Sequence, residues 1–244
     1  ITDLPDGMKK TEFRDPKIWR DDSGVFRCIV AACRENGNGA VLQYCSRDGL
    51  HWQFESILAE NDGSFGTMWE CPDLFSLHGK HVLLCSVMQM QAETLEYLNG
   101  YCSICFIGHL DENGKKFVSE HSQAIDYGID FYAPQTVLTP DGRRVMIAWM
   151  QNWNDCDQSS AHERKWFGQM TLPRELSVEN GRLYQRPVRE IENYRYNKVE
   201  LHNILLQNTQ TLDGISGRAM DLELVVRPKA DLKRFTVRFA QNEK

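Results

Sequence analysis

Apolar and polar positions alternate over short stretches from Arg14 to Pro187, and turn residues such as Asp141-Gly142 separate the stretches. This two-residue period is typical of β-strands, whose side chains point alternately to the two faces of a sheet. No stretch before Pro187 has helical periodicity. The pattern predicts an all-β fold, and residues 1–13, which are polar and irregular, are predicted to form a loop.

The predicted strands recur three times in the same order. Short opening strands at Pro16, Pro72 and Pro134 are each followed by a turn and a longer apolar strand, and the prolines lie 56 and 62 residues apart. Units of four short strands repeated at such a period are the sequence signature of β-propeller blades. We therefore predict that residues 1–187 form about three blades of a β-propeller.

The pattern changes after residue 187. Residues 188–197 are polar and are predicted to form a linker, or a short helix, and longer alternating stretches at 221–227 and 234–240 predict the beginning of a β-sandwich domain over 198–244. Because the last stretch ends with the sequence, we expect the chain to be a piece of a longer protein. Three blades cannot close a ring, so an association that covers their open strand edges is also expected.

The repeat predicts which polar side chains meet. The first strand of each propeller blade lines the central channel, so aligned positions on successive blades face one cavity. Alignment of the three prolines places Arg14, Asp15, Glu70, Asp130 and Tyr132 at this channel. Carboxylates and an arginine presented by rigid strands provide catalytic geometry. The alternative interpretation is that these are ordinary polar residues at strand starts.

Composition narrows the classes of function. The chain has 28 basic and 34 acidic residues, a net charge of −6, and no basic run, which argues against nucleic acid or an anionic membrane as the main partner. Most cysteines lie in apolar strand-like stretches, which favours free buried thiols in the cytoplasm. Cys102 and Cys105 are three residues apart on one predicted strand and so point to opposite faces, and no metal site is predicted.

Four motifs in this order resemble glycoside hydrolase family 32, the β-fructofuranosidases. The resemblance extends from Phe13 to about Arg195. It implies a five-bladed propeller followed by a β-sandwich, and retaining hydrolysis of terminal fructosyl bonds in sucrose, sucrose phosphate or fructo-oligosaccharides without a metal or organic cofactor. The motifs are Phe13-Arg14-Asp15-Pro16-Lys17, Trp69-Glu70-Cys71-Pro72-Asp73, Asp126-Tyr127-Gly128-Ile129-Asp130-Phe131-Tyr132-Ala133-Pro134-Gln135 and Leu172-Pro173-Arg174-Glu175-Leu176.

The resemblance also implies roles for single residues. Glu70 matches the general acid/base, Asp15 matches the acid that stabilises the transition state, and Arg14 is implied to contact the same fructosyl ring. The other residues implied to bind the sugar are Trp69 as an apolar wall beside the acid, Asp130, Tyr132, and Trp153 and Trp166 as platforms.

The sequence departs from the family at the nucleophile. The family's nucleophile is an Asp in an Asn-Asp-Pro-Asn motif, whereas the only Asp-Pro here is Asp15-Pro16. We therefore expect the nucleophile to lie outside this chain, and the 244-residue chain alone to show little or no sucrose hydrolysis.

Two other functions remain open at this point. One is an inactive carbohydrate-binding relative, and the other is a propeller hydrolase that acts on another furanoside, such as an arabinofuranoside. Whether the sugar carries a phosphate is also open, because Arg143, Arg144 and Arg164 are either phosphate ligands or solvated surface charges.

Overall fold

The computed structural model describes residues 4–92, 94–155, 168–217, 219–229 and 231–239. The chain divides into two compact units, Ile1–Val188 and Arg189–Lys244. The first unit contains every strand that the structure describes.

Twelve strands form three antiparallel sheets of four strands within the described part of the first unit. The first sheet contains β1 (Met8–Arg20), β2 (Phe26–Arg34), β3 (Gly39–Ser46) and β4 (Gln53–Glu60); the second contains β5 (Trp69–Leu77), β6 (Lys80–Met90), β7 (Gly100–Leu110) and β8 (Phe117–Ala124); the third contains β9 (Tyr132–Leu138), β10 (Arg144–Trp149), β11 (Arg174–Glu179) and β12 (Arg182–Pro187). Each sheet is a meander in sequence order, which confirms the predicted all-β fold built from four-stranded units.

The first strand of each sheet carries a β-bulge at the same place. Asp15, Cys71 and Ala133 have φ angles of 59°, 49° and 51°, and each precedes a proline. Strand pairing loses register at these positions on β1, β5 and β9. Proline removes an N–H from the ladder and keeps the preceding residue out of the right-handed helical region. The repeated bulge confirms that the three units are equivalent.

Two apolar cores lie between neighbouring sheets. Leu83 packs with residues of the first sheet, whereas Val82 and Leu84 pack with residues of the third sheet. The second sheet is therefore buried on both faces, which explains why β6 has a continuous apolar run instead of alternation. This sheet also supplies the strand, β5, that contacts both β1 and β9.

The structure corrects the prediction of a loop over residues 1–13, because β1 begins at Met8. Met8 pairs with Arg34 and Phe13 pairs with Ala32, with an irregularity between them. The residues in between are polar and partly exposed at the sheet edge. An edge strand forms its hydrogen bonds through the backbone and needs no apolar side chains, so the hydrophobic pattern did not reveal it.

Seven cysteines of the described residues are free thiols. Cys102 packs in the core between the first two sheets and Cys105 in the core between the last two, so they point to opposite faces as predicted. No group of three or more His, Cys, Asp or Glu side chains in the described ranges is placed to hold a metal ion. The cytoplasmic location remains a prediction.

The second unit contains a short 3-10 helix, Arg189–Tyr194, and no strand among its described residues. The described residues of the predicted strands, 221–227 and 234–239, do not form strands. Leu222, Leu224 and Val226 are partly exposed, so the alternation is present but lacks a partner strand, which a strand requires. The β-sandwich remains a prediction.

Neither the helix at Arg189–Tyr194 nor the one at Trp153–Asp155 is long and apolar enough to cross a membrane.

Candidate active site

Glu70 is held by two side chains from the first strands of the neighbouring sheets. The Arg14 Nε donates a hydrogen bond to Glu70 Oε1 at 3.0 Å, and the Tyr132 hydroxyl donates to Glu70 Oε2 at 2.6 Å. The Glu70 side chain is only 16% exposed. Each of the three residues immediately precedes the bulge of its strand. The structure thus brings these three predicted site residues together, with both carboxylate oxygens of Glu70 engaged.

Asp15 lies beside Glu70 because it contacts Cys71, the residue that follows Glu70. The Cys71 backbone N–H donates to Asp15 Oδ2 at 3.0 Å, and the Cys71 thiol lies 3.5 Å from the same oxygen. Because the bulge interrupts the ladder between β5 and β6, Asp15 provides an acceptor that the neighbouring strand does not. Arg14, Asp15, Glu70 and Tyr132 are called the carboxylate cluster below.

The Arg14 guanidinium is surrounded by acceptors. Besides Glu70 it donates to Glu12, and its Nη2 lies 3.8 Å from the Met88 sulfur. Burial lowers the pKa of Arg14, but the hydrogen bonds and charges of Glu12 and Glu70 outweigh burial and raise the pKa above its ordinary value. Arg14 therefore stays a cation that orients Glu70.

Tyr132 is a fixed hydrogen-bond donor. Its side chain is buried, and its ring contacts the Tyr101 ring edge-on with centroids 5.7 Å apart. Burial, followed by the hydrogen bond to Glu70, raises the pKa of Tyr132 well above its ordinary value. The hydroxyl therefore remains protonated and keeps donating to Glu70.

The pKa of the Cys71 thiol depends on the charge of Asp15. Burial, followed by the charge of Asp15 and the hydrogen bond to it, raises the pKa of Cys71 to about 12. The thiolate is the form that reacts with alkylating agents. Cys71 is therefore expected to react slowly with iodoacetamide near neutral pH.

Asp15→Asn is expected to move the pH–rate profile of Cys71 alkylation to lower pH, because it removes the negative charge beside the thiol. Burial remains in the variant, so the pKa should stay above that of a free thiol. Peptide mass mapping after timed alkylation measures the profile, and Asp22→Asn, at an exposed turn position, is the control. An unchanged profile in Asp15→Asn contradicts the contact.

Asp130 lies outside the carboxylate cluster. It is exposed in the loop that leads into β9. That loop is anchored by Arg174, whose Nη1 donates to Asp126 Oδ2 at 2.6 Å and whose guanidinium lies 5.0 Å over the Phe131 ring. Two of the sequence motifs therefore contact each other, and Arg174 holds the segment that ends at Tyr132.

Trp69 does not form the predicted wall of a sugar pocket. The indole is 4% exposed, stacks on Phe106 with ring centroids 5.0 Å apart, and donates from Nε1 to the Phe65 carbonyl at 3.0 Å. Neighbouring residues of a strand point to opposite faces. Glu70 therefore points toward the other residues of the carboxylate cluster, while Trp69 packs in the core.

Trp153 is the exposed aromatic among the predicted platforms. Its side chain is 51% exposed, and its ring meets the Trp149 ring edge-on at 5.1 Å. This exposure leaves a surface on which a sugar ring can stack. Trp166, the other predicted platform, lies outside the described residues.

Three residues of the site were missed by sequence reasoning. Cys71 aligns with Asp15 at the 56-residue spacing, so the repeat contained the signal. Glu12 lies two residues before Arg14 on β1, and a strand over residues 8–13 would have placed both on one face. The sequence contains no signal that would have identified Met88. Its position depends on a shift in strand register between Val87 and Met90, where β6 pairs with β7.

A cleft of about 840 Å³ lies between the loop ahead of β5 and the loop after β6. Phe65, Thr67, Gln89 and Tyr97 are among its lining residues, and no member of the carboxylate cluster lines it. The candidate site is therefore defined by hydrogen-bonded side chains at the first strands and not by this cleft.

The three first strands, each with its bulge and its polar side chain, give the arrangement expected of successive β-propeller blades. Residues 1–187 match the glycosyl hydrolases family 32 N-terminal domain, and the chain belongs to this family. It is 37% identical over 221 residues to a sucrose-6-phosphate hydrolase of Escherichia coli, covering 90% of this chain and 45% of the relative. It is 34% identical over 244 residues to a sucrose-6-phosphate hydrolase of Staphylococcus xylosus, covering 100% and 49%. The chain thus spans about half the length of these relatives.

Solved structures show the same fold. A mutant of the Bombyx mori GH32 β-fructofuranosidase in complex with sucrose aligns with a TM-score of 0.73 at 36% identity, over 82% of this chain and 42% of that chain. The sucrose-6-phosphate hydrolase of Lactobacillus gasseri aligns with a TM-score of 0.68 at 28% identity, over 80% and 40%.

Proposed function

We propose that the protein hydrolyses the terminal β-D-fructofuranosidic bond of sucrose, its phosphate or a related fructoside, with retention at the anomeric carbon. The observation that carries this proposal is the carboxylate cluster, in which Arg14 and Tyr132 hold Glu70 beside Asp15, within a chain of glycosyl hydrolase family 32. The names of the Escherichia coli and Staphylococcus xylosus relatives, and the sucrose complex of the Bombyx mori enzyme, support the substrate class.

In the proposed mechanism, Glu70 is the general acid and base. It protonates the leaving glycosidic oxygen while a carboxylate nucleophile attacks the anomeric carbon and forms a fructosyl–enzyme ester. Water then attacks this ester, Glu70 takes the proton from the water, and fructose is released. The sequence contains no Asn-Asp-Pro-Asn motif, so we propose that the nucleophile lies outside it. No metal or organic cofactor takes part in these steps.

Asp15 and Arg14 are proposed to act on the fructosyl ring. The anomeric carbon gains positive charge in the transition state, and a fixed carboxylate nearby stabilises that charge without reorganisation. Asp15 is held for this role by the Cys71 N–H, which occupies one carboxylate oxygen, Oδ2. Arg14 is proposed to contact a ring hydroxyl while Tyr132 keeps Glu70 oriented.

The contacts of Arg143 and Arg144 support structural roles and not phosphate binding. Arg143 donates to Asp141 at 2.7 Å and to Glu175 at 2.7 Å. The Arg144 guanidinium lies 4.8 Å over the Phe75 ring, and the residue is partly buried. Arg164 lies outside the described residues. We propose that a phosphate on the sugar would be bound by other residues.

A substrate comparison tests the proposed function. The complete protein that carries this sequence is incubated with sucrose, sucrose 6-phosphate and an arabinofuranoside, and fructose release and product configuration in methanol are followed by NMR. We expect release of fructose from sucrose or its phosphate and formation of the β-methyl fructoside. Turnover of the arabinofuranoside alone, or binding of sucrose without turnover, contradicts the proposal.

Tyr132→Phe is expected to lower kcat about tenfold or more with little change in KM. The variant removes the hydrogen bond to Glu70 Oε2 but keeps the buried ring, and a hydrogen bond to a charged group is worth about 1.5–3 kcal/mol. Tyr101→Phe is the matched control, because Tyr101 contacts the same ring, and it should retain the parental kcat. Equal kcat values in the two variants would show that the Tyr132 hydroxyl has no part in catalysis.

A further inference from the structure

Three polar residues repeat the spacing of the carboxylate cluster further along the first strands. Lys17 on β1, Asp73 on β5 and Gln135 on β9 lie beyond the bulge of their strands. Each lies three residues after the residue that precedes the bulge, which is Arg14, Glu70 or Tyr132. They are separated by the same 56 and 62 residues as the prolines. Equivalent positions on three sheets therefore carry a cation, an anion and an amide.

These side chains are bonded to one another across the sheets. The Lys17 ammonium donates to Asp73 Oδ2 at 3.1 Å, to Gln135 Oε1 at 3.1 Å and to the Thr136 carbonyl at 2.8 Å. All three donors of the ammonium group are thus used. Asp73 is fully buried, and its Oδ2 also accepts from the Thr136 N–H at 2.6 Å.

Gln135 connects this network to the residue that follows Glu70. Its Nε2 donates to the Cys71 carbonyl at 2.9 Å, while the Cys71 N–H is bound by Asp15. Cys71 has a φ of 49°, a conformation that persists only when the surroundings hold it. Both backbone polar groups of Cys71 are therefore held by side chains from the two neighbouring sheets.

We propose that Lys17, Asp73 and Gln135 are positioning residues that set the placement of Glu70 relative to Asp15. A buried ion pair adds little net stability, because desolvation offsets its attraction. Apolar side chains at these positions would remove the hydrogen bond that Gln135 donates to the Cys71 carbonyl. Directional bonds between the three first strands explain why these positions are polar. This proposal rests on the proposed function of Glu70 and Asp15.

Gln135→Met in the complete protein tests the proposal, because methionine keeps the length of the side chain and removes its hydrogen bonds. We expect kcat for sucrose to fall about 10–100-fold with KM within about threefold, since small misplacements of catalytic groups are costly. The matched control is Gln123→Met. Gln123, like Gln135, joins two sheets through its side-chain amide. It bonds the backbone of Leu183 at 3.1 Å and 2.9 Å, but on the outer strands β8 and β12.

The control is expected to lose as much stability in urea unfolding as Gln135→Met while keeping kcat within about twofold, since it touches no group that positions Glu70. Retention of kcat by Gln135→Met, or an equal loss of kcat in both variants, overturns the proposal. Glu70→Gln is measured in parallel. Near-parental activity of that variant overturns the proposed function itself, whereas an inactive Glu70→Gln beside a fully active Gln135→Met overturns only the positioning role.

Discussion

Replacement of Glu70 by glutamine in the complete protein is expected to lower kcat for sucrose by about 10²–10⁴-fold, the range that a positioned general acid/base contributes. Glutamine keeps the size of the side chain but has no proton to give to the glycosidic oxygen. Its amide oxygen can still accept from Arg14 or Tyr132, which hold the two Glu70 oxygens in the parent. The fold should therefore be retained, and steady-state kinetics with sucrose measure the loss.

Glu120→Gln is the control for this prediction. Glu120 lies exposed on β8 and pairs with Lys80 and His109, so it tests the loss of a carboxylate ion pair away from the first strands. Exposed ion pairs contribute little to stability, and its kcat should match the parent. A Glu70→Gln variant that turns over sucrose at the control's rate would remove the acid/base role.

Asp15→Asn in the complete protein is expected to lower kcat for sucrose by about 10²–10³-fold, comparable to the loss of one fixed electrostatic contact to a transition state. The amide removes the negative charge that stabilises the anomeric centre. Its oxygen still accepts from the Cys71 N–H, so the bulge on β5 should keep its conformation. Kinetics with sucrose and near-UV circular dichroism together measure activity and folding.

Asp22→Asn serves as the matched control for Asp15→Asn. Asp22 lies exposed in the turn between β1 and β2, and its variant should keep the parental kcat. Near-parental turnover by a folded Asp15→Asn would show that Asp15 holds the Cys71 N–H and has no part in the chemistry.

The repeat in the sequence predicted most of the fold because its physical cause is local. A proline restricts the residue before it and interrupts strand pairing. The same bulge therefore follows Arg14, Glu70 and Tyr132, and the spacing of three prolines was enough to align them. The meeting of these side chains follows from that alignment, since β5 contacts both β1 and β9.

Other features of the site depend on contacts that hydrophobic pattern does not contain. The polar pattern of residues 8–13 predicts a loop, whereas these residues begin an edge strand that is held by backbone pairing with β2. The resemblance implies that Trp69 forms a wall beside the sugar, whereas strand alternation turns the side chain into the core. Pairing of Lys17 with Asp73 depends on side-chain length and on the distance between sheets.

The central claim is that Glu70 is the proton donor for the leaving group. It is tested most directly by the burst of nitrophenol that Glu70→Gln releases from a nitrophenyl β-D-fructofuranoside. A nitrophenolate leaves without protonation, so a variant that lacks only the proton donor should still form the fructosyl–enzyme. The account predicts a burst at close to the parental rate, followed by slow turnover, in a variant that has lost sucrose hydrolysis. A burst slowed as much as sucrose hydrolysis would contradict it.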